Sequence, residues 1–322
     1  MGSPDDARGA GFWRRRRTGR SSRVRPSNRR ARREAALAYL MLAPSVALFG
    51  VFVFYPFAKN FQLPFFQEST GSSFGAFARG AKKWVGWQQY REVLGSVEFR
   101  HSLWITVKFV VMTVPAGIAL GLLLAVVAHQ RLRGITVFRT IFSSTVASSA
   151  AVASTVFFTL IGTESGLWKF RIHGHSLLED RTWALPALAL VAIWQSLGLS
   201  FIVMSSGLQA IPDDLLEAAC VDGAGAARRF FRVTLPLLSP TVYFATIVGL
   251  ISAFKTFTEI DLLTPDGGVA KSTDVLAFHI KKEAFDSGRP GRAAVFAIGL
   301  FVVVLMLTLV QTRMERRVHY AR

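Results

Sequence analysis

The chain has 322 residues, of which 51% are hydrophobic and 18% charged, with a mean hydropathy of +0.37. A soluble protein of this length is normally more polar, and long apolar blocks such as those found here are typical of membrane proteins. The net charge of +18 would suit a nucleic-acid-binding protein. That class is excluded because the basic residues cluster at the ends of the apolar blocks. Cys220 is the one cysteine, which excludes an intrachain disulfide framework.

The first 35 residues contain 12 arginines and almost no apolar side chains, which predicts a disordered tail that anionic lipid headgroups attract. After this tail come six apolar blocks, each long enough to cross about 30 Å of hydrocarbon. The predicted spans are 36–57, 103–128, 137–162, 184–208, 237–258 and 293–311.

Spans three and four are predicted to lie inside the helix bundle. Span three is rich in serine, including Ser148, and span four carries Gln195 near its middle. Small hydroxyl residues are tolerated where membrane helices pack closely or line a cavity. Ser148 and Gln195 are therefore candidates for the solute pathway. In span two, Gly117 and Gly121 form a GxxxG pair suited to close helix packing.

Lys255, near the end of span five, is a third candidate for the pathway because ionisable residues within a membrane are often functional. Glu259 lies four residues later, so one interpretation is a local ion pair near the outer interface. The other interpretation is that Lys255 attracts an anionic or phosphate-bearing substrate at the mouth of a cavity. Both remain open from the sequence.

The distribution of basic residues predicts the orientation of the chain. Segments on one side of the six spans hold 22 Lys and Arg residues, and those on the other side hold 14. By the positive-inside rule the richer side is cytoplasmic. Both termini and the polar segment 211–236 between spans four and five are then cytoplasmic, as an even number of spans requires.

The polar segment has the pattern of two short helices joined by a turn. Pro212, Asp213 and Asp214 suit the first turn of a helix, and Asp222-Gly223 is a turn signal. The first helix presents Ala218 and Ala219, a surface without bulky side chains that can fit closely in a groove of a partner. Charged residues beside it can form contacts at the rim of such a groove: Glu217, Arg228, Arg229 and Arg232.

This segment resembles the coupling segment of binding-protein-dependent ABC permeases, which carry Glu-Ala-Ala, then Gly, then an aliphatic residue, any residue, Leu and Pro at fixed offsets. The matching residues are Glu217, Ala218, Ala219, Asp222, Gly223, Val233, Leu235, Pro236 and Pro240. The resemblance extends over most of residues 36–315 and is greatest to the sugar-type group, which includes maltose and glycerol-3-phosphate importers. One departure is the sequence Thr-Pro-Asp-Gly-Gly-Val at 264–269, where the family usually has Thr-x-Gly-Gly-Pro.

The resemblance implies an all-α membrane protein with six transmembrane helices and the type I ABC importer architecture. The expected domains are a tail at 1–35, a permease domain at 36–315 and a cytoplasmic tail at 316–322. The chain would form half of the pathway for a sugar or glycerol-phosphate-type solute in the inner membrane. Its partners would be a second permease, two ATPase subunits that bind ATP and Mg, an external solute-binding protein and membrane lipid.

No catalytic residue, metal site, nucleotide-binding loop or nucleic-acid partner is predicted on this chain, so ATP hydrolysis is assigned to the partner subunits. The alternative function is an ion-gradient-driven secondary transporter that acts without ATPase subunits. That alternative expects paired carboxylates inside the membrane, and the six predicted spans show no clear Asp or Glu in their interior.

Overall fold

A computed structural model describes residues 28–68, 82–130, 134–162, 171–172 and 175–315. The chain divides into two units, Met1–Pro56 and Phe57–Arg322. The structure within the first unit consists of a helix, Asn28–Phe49, and the π-helical turn Gly50–Phe54. Residues 28–35, predicted as part of the disordered tail, are therefore helical. The rest of that tail, 1–27, and the predicted C-terminal tail, 316–322, lie outside the described residues.

The described residues are mostly α-helical, with two short hairpins. The α-helices are α1 Asn28–Phe49, α2 Tyr55–Gln62, α3 Gln88–Leu94, α4 Val97–His129, α5 Ile135–Ser144, α6 Ala150–Ile161, α7 Ala184–Gln209, α8 Asp213–Val221, α9 Ala226–Arg229, α10 Leu235–Leu237, α11 Ser239–Lys255, α12 Thr258–Leu263, α13 Leu276–Lys281 and α14 Pro290–Glu315. Short 3₁₀ segments are Leu63–Phe65, Thr145–Ala147, Pro265–Gly267 and Val269–Lys271, and further π-helical turns are Phe230–Thr234 and Lys282–Asp286. The antiparallel strand pairs are β1 Phe66–Glu68 with β2 Lys82–Trp84, and β3 Arg171–Ile172 with β4 His175–Ser176.

Four of the six predicted spans are long apolar helical stretches of 24 to 33 residues: Glu34–Phe65, Val97–His129, Ala184–Gln209 and Pro290–Arg313. The other two are bent pairs. The third predicted span consists of Ile135–Ala147 and Ala150–Ile161 at 108°. The fifth predicted span corresponds to the helix Ser239–Lys255, which follows Ala226–Leu237 after a bend of 66°. Four to six membrane-crossing helices thus occur within the described residues, and predicted span three is broken in its middle.

Helices α4 and α7 pack closely along their length because glycines of α4 face serines of α7. A Cβ atom added to Gly117 would lie 2.5 Å from Ser196 Oγ, and one added to Gly121 would lie 2.5 Å from Ser200 Cβ. Real Cβ atoms do not approach other heavy atoms so closely. The predicted role of this glycine pair in helix packing is therefore confirmed.

Buried side chains of the second unit form three apolar clusters. The largest joins α4 and α7 to α11, α12 and α13, with Phe109, Leu188 and Ile260 at 1% exposure or less. A second cluster surrounds Met204 at the other end of α7. A third joins α3, α13 and α14 around Phe296. The first two clusters fix α7 at the centre of the unit, with neighbours on several sides.

The segment between α12 and α13 is a compact loop fixed to α4 by buried polar contacts. Thr106 Oγ1 on α4 accepts a hydrogen bond from Leu276 N at 2.8 Å, and Ser102 Oγ on α4 donates to Asp274 Oδ2 at 3.4 Å. The same oxygen of Asp274 lies 2.9 Å from His279 Nδ1 in α13. Asp266, which belongs to the sequence that departs from the family pattern, has a φ of 63°, in the left-handed region. On the surface, hydrogen bonds from Lys281 to Asp261 and to Asp286 raise the pKa of this lysine.

Candidate functional sites: a polar cavity and an exposed helical turn

A cavity of ≈ 300 Å³ lies at the middle of α7. Its walls are formed by α4, the turn Thr145–Ala147 with Ser148, α7, α11 and the start of α12. The polar residues of the lining are Thr113, Thr145, Ser148, Gln195, Ser196, Ser200, Ser252, Thr256 and Glu259. Two of the three predicted pathway residues, Gln195 and Ser148, thus line one cavity, as expected for side chains inside the bundle.

Gln195 connects two walls of this cavity. In the amide orientation that satisfies its neighbours, Gln195 Nε2 donates to Glu259 Oε1 at 2.8 Å. Gln195 Oε1 accepts from Ala150 N, the first residue of α6, at 3.1 Å. The amide therefore joins α7 to α12 on one side and to the start of α6 on the other. The two hydrogen bonds use both the nitrogen and the oxygen of the amide and fix its orientation.

Serines produce the break that places the start of α6 beside Gln195. Ser148 and Ser149 both have extended backbone angles, with ψ values of 133° and 155°. Ser149 Oγ accepts from Val152 N at 3.2 Å and thereby caps α6. The turn before the break can approach α7 because residue 198 is glycine, where an added Cβ would lie 2.8 Å from Val146 N.

Lys255 lies outside the cavity. Its side chain is exposed and is absent from the lining, and α11 ends at this residue, since Thr256 has an extended ψ of 118°. The helix therefore does not continue to Glu259, and the i, i+4 geometry behind the predicted ion pair does not arise. Among the described residues, the carboxylate of Glu259 contacts Gln195 instead of Lys255. The structure thus gives no support to Lys255 as a cavity residue.

Glu259 is a cavity residue that the sequence prediction missed. It is 6% exposed and lies one residue beyond the predicted end of span five. Within the described part of the chain, it is the one ionisable side chain in the cavity lining. Hydroxyl groups and one amide supply the remaining side-chain polarity, so the cavity offers hydrogen bonds around a single carboxylate.

The polar segment between α7 and α11 forms the helix–turn–helix that the sequence predicts, with α8 beginning at Asp213 rather than at Pro212. Gly223 ends the turn after α8 with a φ of +75°, and nothing lies within 4 Å of an added Cβ. Gly223 N donates to Cys220 O, and Ala224 N donates to Ala219 O, each at 3.0 Å. This is the Schellman pattern of helix termination, for which glycine is favoured because of its left-handed conformation.

The predicted coupling residues lie on α8, the turn after it, α9 and the start of α10, and most of them are exposed. Glu217, Ala218, Asp222, Gly223 and Arg228 are exposed, whereas Ala219, Arg229, Leu235 and Pro236 are half-buried. Arg229 Nη1 donates to Cys220 Sγ, which links α9 to α8. Apolar side chains next to these residues are also accessible, notably Val221 at 87% and Phe231 at 65% exposure. We call the surface formed by residues 213–232 the α8–α9 face.

These features define a helical membrane protein: a multi-pass bundle that contains a partly open cavity with polar groups in its lining and carries an exposed helical turn. The family described as "Binding-protein-dependent transport system inner membrane component" matches residues 117–320. The match covers more than half of the chain, which therefore belongs to this family. The chain is a non-catalytic permease subunit located in the inner membrane.

Several relatives are similar over nearly the whole chain. The sn-glycerol-3-phosphate transport system permease protein UgpA of Brucella abortus biovar 1 (strain 9-941) is 32% identical over 291 residues, covering 88% of this chain and 97% of the relative. The sulfoquinovosyl glycerol transport system permease protein SmoG of Agrobacterium fabrum (strain C58 / ATCC 33970) is 31% identical over 285 residues, covering 87% and 90%. The names of these two relatives refer to different solutes, so sequence similarity leaves the solute of this chain open.

The fold is also that of a solved transporter. The crystal structure of a bacterial ABC transporter involved in the import of the acidic polysaccharide alginate gives a TM-score of 0.75 at 22% identity, covering 90% of this chain and 99% of the matched chain. This likeness establishes the type I importer fold for the present chain.

Proposed function

We propose that this chain forms half of the translocation pathway of an ATP-driven importer, for a sugar or a glycerol-phosphate-type solute delivered by an external binding protein. The observation that carries the proposal is the combination of a polar cavity at mid-span with an exposed helical turn at the end of the same helix. Gln195 and the end of α7 are separated by 14 residues, or about 21 Å along a helix at 1.5 Å per residue. The solutes named for the relatives support this solute class.

The α8–α9 face, together with Leu235 and Pro236 behind it, is the proposed contact with an ATPase subunit. Its small residues, Ala218, Ala219 and Gly223, allow close approach of a groove, while Glu217 and the arginines at 228 and 229 can form charge-assisted hydrogen bonds at the rim. Asp222 and Gly223 fix the turn that presents this surface. ATP and Mg are bound by the ATPase subunits, and this chain holds neither.

The motion of this face is proposed to reach the cavity through α7 and α11. The segment 211–236 joins the end of α7 to the start of α11, and both helices line the cavity. Closure of an ATPase dimer would displace the face, and a displacement of either helix would change the cavity walls. A ligand or partner shifts such an equilibrium only by its difference in affinity for the two states.

The proposed assembly contains a second, homologous permease and two ATPase subunits, with both termini and the α8–α9 face in the cytoplasm. The abundance of Lys and Arg on that side supports the orientation. The external surface, which includes the loop between α12 and α13, would face the solute-binding protein. An ion-gradient-driven transporter is not favoured, because the chain belongs to a binding-protein-dependent family.

The test uses the complete transporter reconstituted in liposomes with its binding protein. Glu217→Lys and Gly223→Asp are expected to abolish ATP-dependent uptake. Glu217→Lys should leave the thermal stability of the bundle unchanged because the position is exposed, whereas Gly223→Asp also strains a turn in which φ is +75°. Thr308→Val, which puts an apolar side chain of the same shape at an exposed position of the apolar helix α14, is the control and should leave uptake unchanged. Normal uptake by both face variants would remove the proposed coupling role.

A further inference from the structure

We infer that the cavity selects for neutral, polyhydroxylated solutes and against anions, and that Glu259 is the residue that imposes this selection. The inference rests on the proposed function and narrows it to the sugar alternative. The glycerol-3-phosphate relatives alone would suggest a phosphorylated solute. Among the described residues, however, the one ionisable group in the cavity lining is a carboxylate, which would repel a phosphate group.

The geometry gives Glu259 direct access to a bound solute. Its side chain lies in the cavity lining, and one oxygen, Oε1, accepts from Gln195. A carboxylate has about four lone-pair sites, so sites beyond those used by Gln195 and by the backbone N–H of Glu259 can accept from solute hydroxyl groups. The hydroxyl groups of sugars and polyols can donate hydrogen bonds to such an acceptor. A fully ionised phosphate group has no proton to donate.

The surroundings reinforce this preference. Ser252 adds a hydroxyl group that can donate or accept. The hydroxyls of Ser148 and Ser196 donate to Thr145 O and Ile193 O, and their oxygens can still accept. Recognition of a phosphate normally uses Arg, Lys or a helix N-terminus. Of these, the start of α6 is already engaged, since Ala150 N donates to Gln195. Lys255 is exposed and outside the lining, so it does not compensate the carboxylate within the cavity.

A first experiment measures the sign of the electrostatic potential in the cavity and does not require transport activity. Ser252→Cys places a thiol in the lining, and Cys220 in the α8–α9 face serves as an internal control. The purified chain is treated at low ionic strength with cationic and anionic methanethiosulfonate reagents of similar size, and modification at each cysteine is followed by peptide mass spectrometry. The ratio of the cationic to the anionic rate reports the local potential.

We expect Glu259→Gln to lower this ratio at residue 252 by roughly tenfold, because a nearby charge acts with opposite sign on the two reagents. The ratio at Cys220 should not change. Glu259→Asp, which keeps the charge, should preserve the ratio at residue 252 and separates loss of charge from altered folding. A ratio at residue 252 that is the same with Gln as with Glu would overturn the inference.

A second experiment addresses the solute. In the complete transporter, glucose and glucose 6-phosphate, which differ in the phosphate group alone, compete with modification of Ser252→Cys by an uncharged thiol reagent. Glucose should slow modification whether residue 259 is Glu or Gln, and glucose 6-phosphate should do so with Gln alone. Equal protection by the two sugars with Glu259 present, or protection by neither, would overturn the solute assignment.

Failure of this inference can be distinguished from failure of the proposed function. The rate ratio requires no ATPase subunit and no binding protein, so it can fail while ATP-dependent uptake succeeds. Conversely, an absence of ATP-dependent uptake would remove the proposed importer and leave the measured sign of the cavity field as it is.

Discussion

Alanine substitutions at the two glycines of α4 should have different effects, although both glycines pack on serines of α7. At Gly117 an added Cβ would meet Ser196 Oγ at 2.5 Å, and the Ser196 Cβ lies at 3.7 Å. At Gly121 it would meet Ser200 Cβ at 2.5 Å and backbone atoms at 3.0 and 3.2 Å. A hydroxyl can rotate away, but backbone atoms of a packed helix cannot.

The expected magnitudes follow from two opposing terms. Replacing glycine by alanine inside a helix gains about 1 kcal/mol, and overpacking costs about 1–3 kcal/mol. For Gly117→Ala we take the low end of the cost, because a rotatable hydroxyl is displaced, and expect a net change near zero. For Gly121→Ala we take the high end, because the clash includes backbone, and expect a loss of about 2 kcal/mol.

The assay is thermal unfolding of the purified protein in detergent, and double variants provide the decisive comparison. At about 2 °C per kcal/mol, Gly121→Ala should lower Tm by about 4 °C. Adding Ser196→Ala should make Gly117→Ala stabilising, since the clashing oxygen is removed. Adding Ser200→Ala should not rescue Gly121→Ala, because the Cβ and the backbone atoms remain.

The control is Gly50→Ala, because nothing lies within 4 Å of a Cβ added to Gly50. It should not lower Tm. If Gly121→Ala were as stable as this control, or if Ser200→Ala restored its stability, the close α4–α7 packing described above would be incorrect.

Two further predictions test the loop between α12 and α13 and the cavity. Thr106→Val leaves the buried Leu276 N–H without its acceptor and should lower the free energy of unfolding by about 1–3 kcal/mol. The control is Thr308→Val, which removes an exposed hydroxyl bonded within its own helix and should lower it by less than about 0.5 kcal/mol. Equal effects of the two substitutions would contradict the hydrogen-bonded contact between the loop and α4. Lys255→Ala should leave the apparent affinity for solute in an uptake assay unchanged, because this side chain lies outside the cavity lining. Gln195→Leu should weaken the apparent affinity by roughly tenfold, because it removes the amide that positions the Glu259 carboxylate in the cavity. A large effect of Lys255→Ala would restore the anion-attracting interpretation of that residue.

The membrane fold could be predicted from the sequence because apolar length alone identifies a span. The helix breaks could not be located in the same way. Serines in span three indicated a position inside the bundle, yet hydropathy does not show that Ser148 and Ser149 leave the helical conformation and bend the span by 108°. A serine cap followed by an apolar run is the signal that indicates the start of α6.

The cavity could be predicted in part. Gln195 and Ser148 could be predicted because a polar residue inside an apolar span normally lines a cavity or contacts another helix. Glu259 was missed because its spacing from Lys255 suggested an ion pair on a continuous helix. That interpretation fails at Thr256, where the backbone becomes extended, and the carboxylate then faces the bundle instead of the lysine. A local break of this kind depends on tertiary packing rather than on residue spacing.

The most direct test of the account compares this chain alone with the complete transporter, each reconstituted in proteoliposomes with the external binding protein. A permease subunit that lacks its own energy source should give no uptake alone, under an ion gradient or with ATP. Together with the second permease and the ATPase subunits, it should accumulate solute only when ATP is hydrolysed. Uptake by the chain alone, driven by an ion gradient, would contradict the account.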